Sequence, residues 1–257
     1  METCLICLGK TGDVLNVLPI VHHWSILNKK KPTMMVSKQY SDILDRVDYA
    51  YRVIYEGHWS DLSGALKLAK QKFNSTICLA TYGEKFDIEH RTSSFVLDAY
   101  ERAGLLPLYD TLPLHIRWEP RAPFKRPTIL FADHSQSSPF LYKQEMYALL
   151  KSEFPQHQIM LLSDVLLPHV ADFAGWYEQA DALVTVETMH MHLSAATRTP
   201  VFALATDKPS KWHGSPCSKR FAWYCRYGEF AARRGELIEA IKDRLAGVKK
   251  PEILCLN

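Results

Sequence analysis

The chain has 257 residues, of which 47% are hydrophobic and 23% are charged, and its formal net charge is +3. This composition excludes a disordered chain and allows two domains. The small net charge gives no argument for nucleic-acid binding, and no apolar run reaches the roughly 18 residues of a membrane-spanning helix. Peripheral contact with a membrane stays an open alternative.

The cysteines are scattered, mostly within apolar runs, which predicts a reducing, cytoplasmic compartment. Cys4 and Cys7 form a CxxC pattern. They lie in a predicted strand, however, where residues three apart point to opposite faces. We therefore expect no metal or redox site there.

Strands and helices alternate along the first half of the chain. The predicted strands cover residues 3–8, 33–36, 51–55 and 76–79, and the predicted helices cover residues 14–27, 41–47, 62–73 and 93–103. A proline-rich stretch at residues 105–127 then interrupts the pattern and predicts a linker.

A second alternating series follows the linker. Its predicted strands cover residues 128–132, 158–162, 183–186 and 200–205, and its predicted helices cover residues 143–154, 172–180, 191–196 and 228–246. We therefore predict an α/β protein with two doubly wound, Rossmann-like domains, residues 1–118 and 119–257. We expect their ligand-binding edges to face a central cleft.

The segment at residues 182–204 has the clearest ligand-binding pattern. A β-branched run predicts a buried strand, and Glu187, Thr188, His190 and His192 follow it at once. Ligands of open α/β sheets bind where strands end, and a helix beginning there offers N–H groups to an anion. The pattern predicts a site for a phosphate-bearing ligand.

The loop after the first strand, GKTGD at residues 9–13, offers a candidate for catalysis. Asp13 could act as a general base. Alternatively, Asp13 is the N-cap of a helix that begins at Val14, and the residues alone favour this interpretation. The loop is not a Walker-type phosphate loop, because Cys4 stands where that motif needs its first glycine.

These two segments carry a resemblance to a known family. GKTGDVLNVLPIV near the start and VETMHMHLSAATRTPVFAL near the end resemble the ADP-heptose lipopolysaccharide heptosyltransferases, glycosyltransferase family 9. The resemblance implies the GT-B fold, with an N-terminal domain that binds the acceptor and a C-terminal domain that binds the nucleotide sugar. It also implies sugar transfer without a metal, with Asp13 as the residue that activates the acceptor.

The donor site implied by this resemblance departs from the family pattern. Glu187 replaces the usual Asp, Thr188 replaces Ser, and Met189 replaces Gly, while His192 stands at the family's histidine position. Met189 places a bulky side chain where the backbone would approach a phosphate. A core histidine is the alternative for His192.

A serine-rich loop at residues 133–139 follows the predicted strand at 128–132. In similar proteins such a loop, with a nearby lysine, holds the donor diphosphate. A solvent-exposed loop that caps the next helix is an equal alternative on the residues alone. The donor contacts assigned from the resemblance are Thr11, Gly12, Ser135, Gln136, Ser137, Ser138, Lys143, Glu187, Thr188, Met189, His190 and His192.

Further contacts to the donor base or sugar are expected from Asp164 and from an aromatic and cationic segment at residues 206–227. Trp212 and His213 could stack on a base or sugar, and Lys208, Lys211 and Arg226 could meet phosphates. Ordinary contacts between domains would use the same residues.

The expected function is metal-independent transfer of a heptose or hexose from a nucleoside-diphosphate sugar to a hydroxyl acceptor such as a glycan, with no cofactor. Three alternatives stay open. One is a nucleotide-sugar-binding protein without transfer activity. The others are a glycosyltransferase acting on modified phage DNA, and a sugar-nucleotide epimerase of the same fold.

Overall fold

The computed structural model describes residues 2–79, 95–108, 112–206 and 221–247. The chain divides into two compact units, with the boundary between Arg117 and Trp118. Within these described ranges, no helix is both long and apolar enough to span a membrane.

The first unit is built on a four-stranded parallel sheet with the strand order β3-β2-β1-β4. The strands are β1 (Thr3–Ile6), β2 (Thr33–Ser37), β3 (Tyr51–Tyr55) and β4 (Ser75–Cys78), and the helices are α1 (Thr11–Asn28), α2 (Leu62–Lys72) and α3 (Phe95–Arg102). Short 3-10 turns lie at Lys38–Tyr40, Asp42–Arg46 and Leu106–Leu108. The strands pair in parallel register because helices and 3-10 turns carry the chain back between them.

Helix α1 contributes a continuous buried segment to the first unit. All eight residues from Val14 to Val21 are buried, and Pro19 lies inside the helix. The helix ends at Asn28, and the left-handed backbone of the C-cap residue Lys29 (φ 49°) lets its N–H and that of Lys30 reach back to the last turn. The sequence prediction placed the start of this helix at Val14, but the helix begins at Thr11.

The second unit is built on a five-stranded parallel sheet with the order β6-β5-β7-β8-β9. Its strands are β5 (Thr128–Ala132), β6 (Gln158–Leu161), β7 (Ala182–Val186), β8 (Val201–Ala205) and β9 (Phe221–Arg226), and its helices are α4 (Lys143–Glu153), α5 (Phe173–Tyr177), α6 (Met189–Leu193) and α7 (Phe230–Leu245). Further 3-10 turns lie at Leu162–Asp164, Val170–Asp172, Ser194–Ala196 and Tyr227–Glu229. The three central strands are buried along their whole length, as expected for a sheet covered on both faces.

One strand of this unit was not predicted, and one helix is shorter than predicted. Strand β9 was not predicted, because its aromatic residues were assigned to ligand contacts. Its side chains alternate, with Trp223 and Cys225 buried, and this is the burial pattern of a strand at the edge of a sheet. Helix α5 covers only Phe173–Tyr177, much less than the predicted residues 172–180.

The second half of the predicted linker packs on the second unit. The Glu119 N–H donates to the Asp172 carboxylate at 3.0 Å, and the Arg121 guanidinium lies 3.4 Å from the centroid of the Trp176 ring. Gly175 allows this close approach, since an added Cβ would lie 2.5 Å from the Glu119 carbonyl oxygen.

Candidate functional site

Polar residues gather at the carboxyl edge of the second sheet. Asp133 follows β5, Glu187 follows β7, Thr206 follows β8 and Tyr227 follows β9. Because these strands are parallel neighbours, their carboxyl ends lie at one edge. Ligands bind at this edge in open α/β sheets.

A buried carboxylate anchors the loop after β5. Asp133 is only 3% exposed, and its carboxylate accepts hydrogen bonds from the Ser163 N–H at 3.2 Å and the Ser163 hydroxyl at 2.9 Å. The same carboxylate forms an ion pair with the ammonium group of Lys143, the first residue of α4. The Lys143 side chain keeps 39% of its surface exposed.

This pairing determines the charge of the group. Burial by itself raises the pKa of the Asp133 carboxyl, but the hydrogen bonds from Lys143 and Ser163 outweigh it and bring the pKa below its ordinary value. Asp133 is therefore ionised near neutral pH. The Lys143 cation is thus held beside the loop by a fixed negative charge.

The serine-rich loop that begins at Asp133 closes on itself. Ser135 is buried, and its hydroxyl accepts a hydrogen bond from the Ser138 N–H at 3.2 Å. Ser138 is half-buried, while Gln136 and Ser137 are exposed. The turn is therefore fixed by its buried serine and presents two polar side chains to solvent.

Tyr227 joins this loop to the end of β7. Its hydroxyl accepts a hydrogen bond from the Glu187 N–H at 3.0 Å and donates one to the Ser138 carbonyl at 3.1 Å. The ring is buried and lies 5.0 Å from the ring of Phe140. One hydroxyl thus fixes the separation of two loops at the candidate site.

Glu187 and Thr188 lie where β7 turns into α6. One Glu187 carboxylate oxygen accepts a hydrogen bond from the Thr206 N–H at 2.8 Å, which joins the ends of β7 and β8. Thr188 is the N-cap residue, and Met189 is the first helical residue and half-buried. Helix α6 begins at Met189 rather than at the predicted Met191.

Both histidines of α6 are buried. The His190 Nδ1 atom shares a hydrogen bond with the Tyr177 hydroxyl at 2.5 Å. The His190 ring lies edge-on to the Phe173 ring, with 4.7 Å between the ring centroids. Burial lowers the pKa of His190 to about 4, so its ring is neutral near neutral pH. His192 is 9% exposed. Their role as donor contacts stays a prediction.

Asp13 lies at the corresponding edge of the first unit. It is the third residue of α1, and its carboxylate accepts a hydrogen bond from the Lys10 N–H at 2.8 Å. Thr11 and Gly12 are the first two residues of the helix and are half-buried. Asp13 is therefore not the N-cap of a helix beginning at Val14. It caps the helix from inside the first turn.

The absence of a side chain at Gly9 leaves space for this carboxylate. An added Cβ at Gly9 would lie 2.6 Å from the Asp13 Cβ and 2.7 Å from its Oδ2 atom. The glycine thus makes the room that the carboxylate occupies.

The remaining predicted contacts are dispersed. Asp164 is exposed after β6, where its carboxylate lies 3.4 Å from the Ser163 hydroxyl. Arg226 is exposed at the end of β9. Trp212 and His213, with Lys208 and Lys211, lie outside the described residues. Among the residues that the structure does describe, no three His, Cys, Asp or Glu side chains form a group able to hold a metal ion.

Sequence reasoning gave Asp133 and Tyr227 no role in the site. Asp133 follows a buried strand directly, and that position was the available signal. Tyr227 could not be placed, because the strand that it directly follows, β9, was not predicted.

No protein-family model matches the chain, and a search of curated proteins found no match. Solved structures do match. The iron-containing dodecameric glycosyltransferase TibC of enterotoxigenic E. coli is 15% identical with a TM-score of 0.63, over 96% of this chain and 76% of that chain.

A glycosyl transferase family 9 protein of Veillonella parvula is 12% identical with a TM-score of 0.63, over 96% of this chain and 97% of that chain. The E. coli heptosyltransferase WaaC, solved with ADP-2-deoxy-2-fluoro heptose, is 14% identical with a TM-score of 0.58, over 93% and 99% of the two chains. At these identities the likeness concerns the fold. The chain has the α/β fold of the family 9 heptosyltransferase structures, as the sequence resemblance predicted.

Proposed function

We propose that this chain is a glycosyltransferase that moves a heptose or hexose from a nucleoside-diphosphate sugar to a hydroxyl acceptor such as a glycan. The observation that carries the proposal is the carboxyl edge of the second sheet. There the closed serine loop and the fixed Lys143 cation stand beside Glu187 and Thr188. The fold supports it, since neighbours of the same fold were solved with ADP-heptose or ADP.

In this proposal the second unit binds the donor diphosphate. Lys143 carries three N–H donors, so an ammonium that keeps one on Asp133 can offer the others to phosphate oxygens. Hydroxyl and amide groups of Ser137 and Gln136 add neutral donors. These groups stabilise the negative charge that develops on the departing nucleoside diphosphate.

Asp13 of the first unit serves as the general base. A new bond forms between the acceptor oxygen and the anomeric carbon, while the bond from that carbon to the diphosphate oxygen breaks with its electron pair. The acceptor proton passes to the Asp13 carboxylate. A carboxylate offers about four lone-pair sites, so accepting the Lys10 N–H is compatible with accepting this proton.

The reaction is proposed to need neither a metal nor another cofactor, because Lys143 and the loop donors supply the positive potential that a metal would provide. One structural neighbour is iron-containing, so the test includes iron. Turnover should survive chelation and should not depend on added Mg²⁺, Mn²⁺ or Fe²⁺. A strict requirement for any of them would overturn this part.

The first experiment identifies the donor. The protein is screened by thermal shift against ADP, UDP, GDP, CDP and their sugars, since a bound ligand raises apparent stability by mass action. Selective stabilisation by one nucleotide sugar is expected. The absence of any shift would contradict the proposal.

The variant Asp13→Asn then separates catalysis from helix capping. If Asp13 is the base, turnover falls by roughly 100-fold or more, while donor affinity changes little. Asp61→Asn is the matched control, because Asp61 caps α2 of the same unit by accepting the Gly64 N–H at 2.9 Å. Equal turnover in both variants would refute Asp13 as the base, and donor binding without any turnover in the wild type would favour a nucleotide-sugar-binding protein.

The acceptor is identified by product analysis. Incubation with the donor alone tests for an epimerase, which would change the sugar without any acceptor. Glycan and modified-DNA acceptors are then offered in parallel. We expect a new glycosidic bond only when an acceptor is present.

A further inference from the structure

Asp133 is a buried, ionised group that does not itself contact the donor in the proposed mechanism. The Asp133 side chain has no exposed surface, yet it is charged, which is costly unless every lone pair is satisfied. It accepts hydrogen bonds from both the N–H and the hydroxyl of Ser163 and forms the ion pair with Lys143.

We propose that Asp133 is a positioning residue of the donor site, which holds the Lys143 ammonium where the donor diphosphate binds. This inference rests on the proposed function, because it assumes that an anionic diphosphate occupies the serine loop. Asp133 itself does not touch the donor. It acts through Lys143.

The chemistry of lysine makes such a residue useful. Its ammonium is a point charge at the end of a flexible four-carbon stem, so an unanchored lysine at a helix start samples many positions. The ion pair places one end of this stem against a rigid strand terminus before any ligand arrives. Preorganisation of this kind increases affinity by reducing the ordering needed on binding.

Two opposite effects decide the sign of the outcome. A negative charge beside the phosphates weakens their attraction to Lys143, so its removal alone would tighten binding. Loss of the anchor releases the ammonium and weakens binding. Because the carboxylate is fully buried while the Lys143 side chain is partly exposed, we expect the positioning effect to be larger.

A purely structural role is the competing explanation. The Ser163 hydrogen bonds join the end of β5 to the end of β6, and this join would stabilise the edge without any ligand. A structural role weakens ligand binding whether or not Lys143 is present. A positioning role requires Lys143.

The test is a double-mutant cycle on the full chain, read by calorimetry with the tightest-binding of ADP, UDP, GDP and CDP. Lys143→Met is expected to raise the Kd by roughly 10- to 100-fold, as for the loss of a charged hydrogen bond, and Asp133→Asn by roughly 10-fold. The double variant should bind no more weakly than Lys143→Met alone. Ser163→Ala, which removes one bond to Asp133 from an exposed residue, should give a smaller loss that also vanishes when Lys143 is replaced.

Asp181→Asn is the matched control. Asp181 accepts the Thr128 N–H at 2.7 Å at the opposite end of β5, so its replacement should leave the Kd unchanged. If Asp133→Asn does not fold, the cycle with Ser163→Ala decides the question. Additive losses, or tighter binding by either variant, would overturn the inference and leave the proposed function standing. A wild-type protein that binds none of the four nucleotides would overturn both.

Discussion

Replacement of Tyr227 by phenylalanine tests whether a single hydroxyl holds the candidate donor site together. The change deletes the acceptor of the Glu187 N–H and the donor to the Ser138 carbonyl, at 3.0 Å and 3.1 Å. The ring and its packing against Phe140 remain, so no large cavity forms. Two hydrogen bonds at about 0.5–1.5 kcal/mol each predict a loss of about 1–3 kcal/mol in the free energy of unfolding.

The assay is urea unfolding at neutral pH, together with hydrogen exchange at the Glu187 amide. Tyr142→Phe is the control, because that tyrosine is 37% exposed and its ring also packs against Phe140. It should change stability by less than about 0.5 kcal/mol. If Tyr227→Phe is as stable as the control and the Glu187 amide exchanges no faster, the joining role of the hydroxyl is refuted.

Two further predictions concern packing and pH. Gly9→Ala forces the Asp13 carboxylate out of its position, so product formation should fall although the acid is retained. Gly235→Ala is the control, because nothing lies within 4 Å of its added Cβ. This control should leave turnover unchanged and stabilise its helix by about 0.5–1 kcal/mol. Folding lowers the pKa of His190 from 6.5 to about 4. Between these two pH values the imidazole is protonated in the unfolded chain but neutral in the folded chain. The free energy of unfolding should therefore fall by about 3 kcal/mol as the pH drops from 6.5 to 4. In His190→Asn, where the amide oxygen can still accept from Tyr177, urea midpoints at pH 7 and pH 5 should differ less than in the wild type; an equal difference would exclude His190 as the cause.

The central strands of the second sheet were predictable because buried parallel strands are continuous apolar runs, as in Ile129 to Ala132. The start of α1 was wrongly predicted at Val14, because the Asp13 pattern fits an N-cap as well as a residue of the first turn. The hydrogen bonds that Lys10 makes with Asp13 and Val14 distinguish the two. The sequence alone does not decide between these two capping geometries.

The candidate site was predictable where its residues follow a strand directly, as the serine loop and Glu187 do. Its connections were not, because they depend on pairs far apart in sequence. Ser163 meets Asp133 across 30 residues, and no local pattern encodes that pairing. The burial of His190 likewise depends on Tyr177, which a different helix supplies.

The position of Tyr227 in the chain has a consequence for how the protein is made. The Ser138 carbonyl and the hydroxyl that binds it are separated by 89 residues. At about 5–20 residues per second, a ribosome needs roughly 4–18 s to add the tyrosine after the serine loop has been synthesised. During that interval strands β5 to β8 can pair, but the loop lacks the hydrogen bond that joins it to the end of β7. A message cut short before β9 would therefore yield a sheet whose ligand edge is never completed.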